Sequence, residues 1–293
     1  MSGLSRRRFL SGTAGLAFLA ACGGDDGESA VPGGDGRTGT AAAAGYVLIR
    51  RFAPGTLAPG QQRIPVVVGN QDGMLPPDRT PATLRGRLYA ESGDAVSDVI
   101  TAERHGGDMG QAYFPFISAL DAPGIYTLAA EIEGQTVTAA VDVTDPGEIV
   151  IPQVGQPLPP FDTPTTTDAR GVDPICTREP ACPLHDVTLT EALAASRPVL
   201  YLVGTPAHCK TAVCGPVLDL MLAERERLGD AVTMVHAEIY TDDTITTVAP
   251  AVQAYELEFE PVLFFADSAG TLVERLDAIW DGAELRAGLD RLT

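Results

Sequence analysis

The chain contains few basic side chains for its size. Among its 293 residues, 20 are Lys or Arg and 39 are Asp or Glu, which gives a formal net charge of −19. Nucleic-acid phosphates and anionic lipid surfaces both attract clustered positive charge. We therefore expect no nucleic acid partner and no electrostatic docking on a membrane. Such acidity, with 45 % hydrophobic residues, is typical of globular domains with a self-repelling surface.

Cysteine is also scarce, and the five cysteines are unevenly spread. Cys22 stands alone near the N-terminus. The other four form two close pairs, which are Cys176 with Cys182 and Cys209 with Cys214. One modified thiol and two pairs indicate an oxidising compartment.

The N-terminus has no hydrophobic run long enough to span a bilayer. Apolar residues extend only from about Leu10 to Ala21. The preceding SRRRFL (5–10) resembles a twin-arginine export signal, and LAAC (19–22) resembles a bacterial lipoprotein box. The two resemblances imply a cleaved signal peptide at 1–21. They also imply an acylated Cys22 that anchors the protein to the extracytoplasmic face of the cell membrane.

Residues 22–45 lack large apolar side chains and are rich in Gly, Asp and Ala, which predicts a flexible tether. Residues 46–145 predict an all-β domain, because short β-prone runs alternate with breakers such as Pro-Pro and Gly-Gly. The predicted strands are 46–52, 64–68, 84–90, 98–103, 112–118, 125–132 and 136–143. This pattern favours an immunoglobulin-like sandwich that acts as a spacer or protein-binding module. His105 and Met109 could ligate copper there, but we favour a surface turn.

Residues 146–187 form a predicted proline-rich linker, extended rather than helical over its first part. We interpret Cys176 and Cys182 as a structural disulfide that clips this linker. A zinc site built from the four paired cysteines is disfavoured by their spacing. We expect His185 and His236 to be packed or exposed residues, and we predict no metal and no cofactor.

Residues 188–293 change to a mixed helix and strand pattern. Thr188 and Glu191 form a capping box for a short helix. The apolar run at 198–204 is typical of a strand buried on both faces. The later predicted elements are a helix at 216–228, a strand at 232–239, a helix at 247–255, strands at 261–266 and 272–279, and a helix capped by Asp281. This order predicts a parallel first strand pair and a final hairpin.

Cys209 and Cys214 follow the first of these strands, where the chain turns into a long helix. The N–H groups and dipole of a helix N-terminus stabilise a thiolate, which is the nucleophile in disulfide exchange. Residues five apart in a continuous helix lie about 8–9 Å apart, farther than a disulfide allows. We therefore expect both cysteines on a loop before a helix that starts near Pro216. His208 could add positive charge beside Cys209.

Two segments carry a family resemblance. GTPAHCKTAVCGP at 204–216 resembles the active-site loop of the thioredoxin superfamily, and FEPVLFF at 259–265 resembles its cis-proline segment. The resemblance covers residues 150–293, about half of the chain. It implies a C-terminal α/β thioredoxin-like fold, so together with the N-terminal all-β sandwich that the strand pattern favours we expect a multi-domain protein.

The same resemblance implies site residues. Cys209 would be the nucleophile and Cys214 the resolving thiol. A cis bond at Pro261 would lie beside Cys209, and the backbone near Glu260 would receive the partner's extended chain.

The sequence departs from this family in two respects. Its motif is C-x4-C rather than C-x2-C, and the strand at 198–204 lacks the usual buried acid. C-x4-C with a nearby Thr-Pro is similar to the bacterioferritin-comigratory type of peroxiredoxin, in which Thr205 would be auxiliary. A copper-handling redox role is a further alternative, although no His follows His236.

We therefore predict a membrane-anchored, extracytoplasmic thiol–disulfide oxidoreductase whose partners are envelope protein thiols or disulfides. The alternative from another class is a non-catalytic envelope binding lipoprotein in which both cysteine pairs are structural disulfides.

Overall fold

The computed structural model of the chain describes residues 45–107 and 109–292. The predicted signal peptide, the lipid-modified Cys22 and nearly all of the predicted tether lie outside the described residues. Within the described ranges, no helix has the length and apolar character needed to cross a bilayer.

The first half forms two antiparallel four-stranded sheets. Its strands are β1 (Val47–Arg50), β2 (Gly60–Asn70), β3 (Gly73–Met74), β4 (Thr83–Ala90), β5 (Ile100–Glu103), β6 (Phe114–Leu120), β7 (Gly124–Ile132) and β8 (Gln135–Val143). Strand β2 pairs with β1, β3 and β6, whereas the second sheet has the order β5-β4-β7-β8. Side chains from both sheets share one apolar core.

The strands show the two-residue period of burial that is typical of a half-buried sheet. In β8, Val137 and Val141 are buried while Thr136 and Thr138 between and beside them are exposed. A tight turn precedes β8, in which Glu133 and the glycine after it have φ of 49° and 79°. The two-residue strand β3 was not predicted, since it is too short to show a period.

The second half is a layered α/β arrangement. Its elements are α1 (Leu189–Ala194), β9 (Val199–Val203), α2 (Cys214–Leu228), β10 (Thr233–Ala237), α3 (Pro250–Ala254), β11 (Val262–Ala266), β12 (Leu272–Asp277) and α4 (Gly282–Leu289). The strand order is β10-β9-β11-β12. β9 and β10 are parallel, and β11 and β12 form an antiparallel hairpin, so both predicted pairings are confirmed.

Helix α2 begins at Cys214, so the prediction of a helix start near Pro216 was wrong. The N–H of Val217 already donates to the carbonyl of Val213 at 3.0 Å, which places the first helical turn upstream of the proline. Proline is tolerated there because N–H groups in the first turn have no intrahelical partner.

Helix α3 is shorter than predicted. The predicted span began at Thr247, but the carbonyl of this residue accepts from Thr241 N at 3.0 Å, and Val248 forms a bridge with Tyr240. These residues belong to a loop, and Val248 is 41 % exposed rather than inward-facing. A proline at the first helical position marks the real start.

The predicted linker packs closely against the second half. Ile151 and Leu158 are buried in its core. Leu158 N donates to Gly270 O at 2.9 Å, and Pro157 forms a bridge with Thr271. The proline-rich segment is therefore an ordered part of the α/β layer.

All described residues belong to one compact unit, and polar contacts cross between its halves. The Nε and Nη2 of Arg63 each donate to the Glu284 carboxylate at 2.6 Å. His105 Nδ1 lies 2.9 Å from Asp281, and Met109 is buried in an apolar cluster that includes Trp280 of the second half. The expectation of a surface turn at His105 and Met109 was wrong, because the second half covers it.

Candidate functional site

Cys209 lies half-buried in the turn between β9 and α2. The N–H of Cys214 donates to its Sγ at 3.3 Å, and the Thr211 hydroxyl lies 3.4 Å away. Hydrogen bonding from the Cys214 thiol, with these two donors, outweighs burial and lowers the pKa of Cys209 to about 5. Cys209 is therefore a thiolate at neutral pH, which is the reactive form of cysteine.

The C-x4-C spacing closes through a tight turn. Ala212 N donates to Cys209 O at 3.1 Å, and Ala212 has a left-handed φ of 56°. This conformation costs a non-glycine residue about 1–2 kcal/mol and often marks a functional site. The reversal makes Cys214 the first residue of α2 and directs its N–H at Cys209. The expectation that both cysteines lie on the loop was therefore wrong for Cys214.

Cys214 is buried, and its thiol points to a carboxylate. Its Sγ lies 3.7 Å from Glu260 Oε2, and both sulfurs and this carboxylate lie within 4.8 Å of one another. Hydrogen bonding to Cys209 and burial raise the pKa of Cys214. Burial and the charge of Cys209 raise the pKa of Glu260 to about 7. A carboxylate poised near neutrality can therefore take the proton of Cys214.

Glu260 was expected as an auxiliary residue of the site, but the acid–base role of its side chain was not predicted. Only the backbone near this residue was expected to act, and the apolar strand β9 indicated that the site lacks an acid. The acid comes instead from the residue before Pro261. Its signal in the sequence is a carboxylate directly before the cis-proline of the FEP segment.

The peptide bond between Glu260 and Pro261 is cis, as the family resemblance implies. Gly204, at the end of β9, lies between Pro261 and the second cysteine. A Cβ added to Gly204 would lie 3.3 Å from Pro261 Cβ and 3.6 Å from Cys214 Sγ. The glycine therefore lets the proline segment approach the cysteine pair closely.

Of the three auxiliary residues, Glu260 lies at the cysteine pair, whereas the side chains of His208 and Thr205 hydrogen-bond to other residues. His208 Nε2 bonds to Asp243 at 3.1 Å, so its imidazole is held by an acid rather than by the thiolate. Thr205 is fully buried, and its hydroxyl lies 3.4 Å from that of Thr177. The Thr177 hydroxyl also accepts a hydrogen bond from Ala207 N at 3.0 Å, which fixes the start of the loop that carries Cys209.

Arg51 brings a positive charge from the sandwich to this site. Burial lowers the pKa of Arg51, whereas the negative charges of Cys209 and Cys214 raise it. Coulombic interaction is reciprocal, so the guanidinium favours the Cys209 thiolate. Among the described residues, the buried Nε and Nη2 of Arg51 have no hydrogen-bond partner. Nothing in the sequence near Arg51 marks it, because the contact depends on how the halves pack.

The other cysteine pair belongs to a buried four-residue cluster. Its members, called the Cys2His2 cluster below, are Cys176, Cys182, His185 and His236. All four are buried, and their donor atoms lie within 4.8 Å of one another. The two sulfurs are not bonded, and all four cysteines in the described residues are free thiols. The structural disulfide between Cys176 and Cys182 therefore stays a prediction.

The contacts inside the cluster are close and mutual. Cys182 Sγ lies 3.3 Å from His185 Nε2 and 3.5 Å from His236 Nδ1, and these two nitrogens are 3.3 Å apart. Cys182 N donates to Cys176 Sγ at 3.3 Å. Hydrogen bonds from the Cys182 thiol and then from the two imidazoles lower the pKa of Cys176. Both histidines are buried, in agreement with the expectation of packed residues, and they pack against the cysteine pair.

Comparisons with known proteins give little guidance. No family model matches the chain, and no curated protein matches it. Among solved structures, the chain is similar to BslA, described as a bacterial hydrophobin, with 15 % identity over 34 % of this chain and 99 % of that one. The TM-score of this match is 0.21, so it carries no argument about fold or function.

Proposed function

We propose that the protein is a thiol–disulfide oxidoreductase of thioredoxin-like type, with Cys209 as its nucleophile and Cys214 as its resolving thiol. The observation that carries the proposal is the asymmetry of the two sulfurs. Cys209 is half-exposed with its pKa lowered to about 5, whereas Cys214 is buried with its pKa raised. A nucleophile and a resolving thiol need this division of roles.

The first step is attack by the Cys209 thiolate on one sulfur of a substrate disulfide. The Cys209–substrate bond forms, the substrate S–S bond breaks, and the second substrate sulfur leaves as a thiolate that takes a proton from solvent. Arg51 and the N–H at the start of α2 favour the attacking thiolate through their positive charge and dipole.

The second step releases the substrate. Cys214 transfers its proton to Glu260 and attacks Cys209, which forms the Cys209–Cys214 disulfide and expels the remaining substrate thiolate. Two electrons pass from the protein pair to the substrate. The same steps run in reverse when the oxidised protein meets a substrate dithiol.

A disulfide-exchange assay with insulin or glutathione disulfide tests this proposal. We expect Cys209→Ser to abolish exchange, whereas Lys210→Ala, an exposed change in the same turn, retains it. Unchanged exchange in Cys209→Ser would overturn the proposal. A reduction potential below about −300 mV for the Cys209–Cys214 pair would do so too, because it marks a structural disulfide and favours the non-catalytic binding lipoprotein.

Arg51 favours a second candidate, which is reduction of a hydroperoxide. The Cys209 thiolate would attack the terminal peroxide oxygen and become a sulfenic acid, while the O–O bond breaks and the other oxygen leaves as an alkoxide that takes a proton from solvent. Cys214 would then displace water and form the disulfide. The buried guanidinium of Arg51 interacts electrostatically with the thiolate, and its unpartnered N–H groups suit a leaving oxygen that gains charge. Peroxide oxidation that is fast in the native chain and slow in Arg51→Met would support this candidate.

The proposed setting is the outer face of the cell membrane, with the acylated Cys22 as anchor and envelope proteins as partners. It rests on the two N-terminal sequence resemblances. Mass analysis of the membrane-extracted protein tests it, because a diacylated N-terminal cysteine is expected and an intact residue 1 would contradict it.

A further inference from the structure

We propose that the Cys2His2 cluster is a structural zinc site. Two thiolates and two imidazoles are a common ligand set for structural Zn²⁺. Soft sulfur ligands and the absence of an exposed open position separate this arrangement from Mg²⁺ or Ca²⁺ sites. The cluster shares no residue with the proposed redox pair, so either proposal can fail while the other holds.

The distances between the donor atoms fit one tetrahedral ion. Zn–S bonds of about 2.3 Å and Zn–N bonds of about 2.0–2.1 Å place tetrahedral ligands about 3.3 Å apart for N and N and about 3.6 Å apart for N and S. The nitrogens of His185 and His236 are 3.3 Å apart, and Cys182 Sγ lies 3.3 Å and 3.5 Å from them. A disulfide clip alone requires neither histidine at this position.

The orientation of His236 supports a ligand role. Its Nε2 lies 2.9 Å from the carbonyl of Gly204, which can only accept, so Nε2 carries the proton. In a neutral ring this leaves the lone pair on Nδ1, the atom that faces the cluster. Fixing the tautomer of a ligating histidine by a backbone carbonyl is a recurrent feature of metal sites.

The ligands come from two parts of the chain. His236 lies on β10, at the edge of the sheet, and its backbone N–H donates to the carbonyl oxygen of Leu184 at 3.1 Å. The other three ligands lie in the segment before α1. Zinc would therefore link this segment to the edge of the sheet. It would also fix the position of Thr177, which follows Cys176 and accepts a hydrogen bond from Ala207 in the loop that carries Cys209.

The charge balance suits a buried site. Zn²⁺ displaces the protons of two thiols, and the two thiolates neutralise its charge. A neutral, fully ligated centre avoids the cost of a buried net charge. Binding also keeps both sulfurs from forming a disulfide in an oxidising compartment.

The experiment is metal analysis and zinc-edge X-ray absorption on the whole chain, purified with a reductant and without chelator. We expect one zinc ion per chain with two sulfur and two nitrogen ligands. Cobalt substitution should give the visible bands of a four-coordinate ion and thiolate-to-cobalt charge transfer. A site at the redox pair would instead show oxygen from Glu260, because that carboxylate completes the other sulfur cluster.

Matched variants separate the two cysteine pairs. Cys182→Ser should lose the zinc, whereas Cys214→Ser, which changes an equally buried cysteine, should retain it. The reverse result would overturn the proposal. A Cys176–Cys182 disulfide in the native chain, together with no zinc or cobalt uptake by the reduced chain, would also overturn it. The spectra of the unmodified chain decide the matter if a variant fails to fold.

Discussion

The two cysteine pairs both lie in the α/β half of the chain, yet their surroundings differ in kind. Cys209 reaches the surface and is paired with a buried thiol beside Glu260. Cys176 and Cys182 are both buried, and imidazoles rather than a carboxylate complete their cluster. A sulfur that exchanges disulfides needs access and a proton acceptor, whereas a structural metal site needs a closed set of ligands. The residues that surround each cysteine pair, rather than the spacing of the cysteines in the sequence, therefore determine its chemistry.

The largest expected effect is the trapping of a substrate on Cys209, which distinguishes the redox pair from the other pair. Cys214→Ser removes the resolving thiol, so Cys209 should form a mixed disulfide that does not release its substrate. Turnover should be lost while one equivalent of substrate remains bound. Intact mass spectrometry after mixing with a peptide disulfide measures this. Continued turnover in Cys214→Ser would remove the proposed distinction between the pairs.

The next effect concerns stability and the second pair. Binding at about a thousand times Kd stabilises the folded state by about 4 kcal/mol, so removal of zinc should cost the chain about that much. Urea unfolding with and without a strong chelator measures the loss. Cys182→Ser should show no further loss with chelator, because its site is already disrupted. An equal response of this variant to chelator would contradict the assignment.

Glu260→Gln should slow release of the substrate by about tenfold to a hundredfold near neutral pH, since a general base contributes at least that much. The active form is the ionised carboxylate, so the rate should rise as pH rises through the pKa of Glu260, which is about 7 in the reduced site. In the mixed disulfide the charge of Cys209 is gone, and the inflection should move below 7. Stopped-flow rates across pH measure this.

Two results bear on the role of Glu260. The variant Glu260→Asp should restore part of the rate and the pH inflection, whereas Glu260→Gln should show neither. An inflection that persists in Glu260→Gln would assign the titration to another group.

The smallest expected effect is on the pKa of Cys209 and comes from Arg51 in the β-sandwich. Arg51→Met should raise the pKa of Cys209 by less than about one unit, because the interaction is Coulombic and partly screened by solvent. Added salt should shrink the difference between the two proteins. Thiolate absorbance against pH measures both values. An identical pKa in Arg51→Met would show that the sandwich does not influence the site.

Much of the fold was predictable from local patterns. The period of two in β8 and the continuous apolar run of β9 determine how each strand is buried, so both strands were located correctly. The capping box at Thr188 and the Asp281 cap are local signals, and both are present. The start of α2 was misplaced because a proline was taken as its first residue, although the first turn accepts proline later as well.

The candidate sites were only partly predictable, because their contacts are long-range. The C-x4-C motif identified Cys209 and Cys214. Arg51 interacts with them only because the two halves of the chain pack together. His185 and His236 are 51 residues apart in the chain and meet through strand β10. The spacing C-x5-C-x2-H at 176–185 was the available signal for the metal cluster, but its fourth ligand depends on sheet register.

Peptide-resolved alkylation of the unmodified reduced chain across pH tests the contrast between the two pairs most directly. The account predicts that Cys209 reacts with iodoacetamide along a curve with a midpoint near its pKa of about 5, whereas Cys176 and Cys182 stay protected until a chelator is added. Equal labelling of all three cysteines, or a Cys209 midpoint near that of free cysteine at about 8.5, would contradict it.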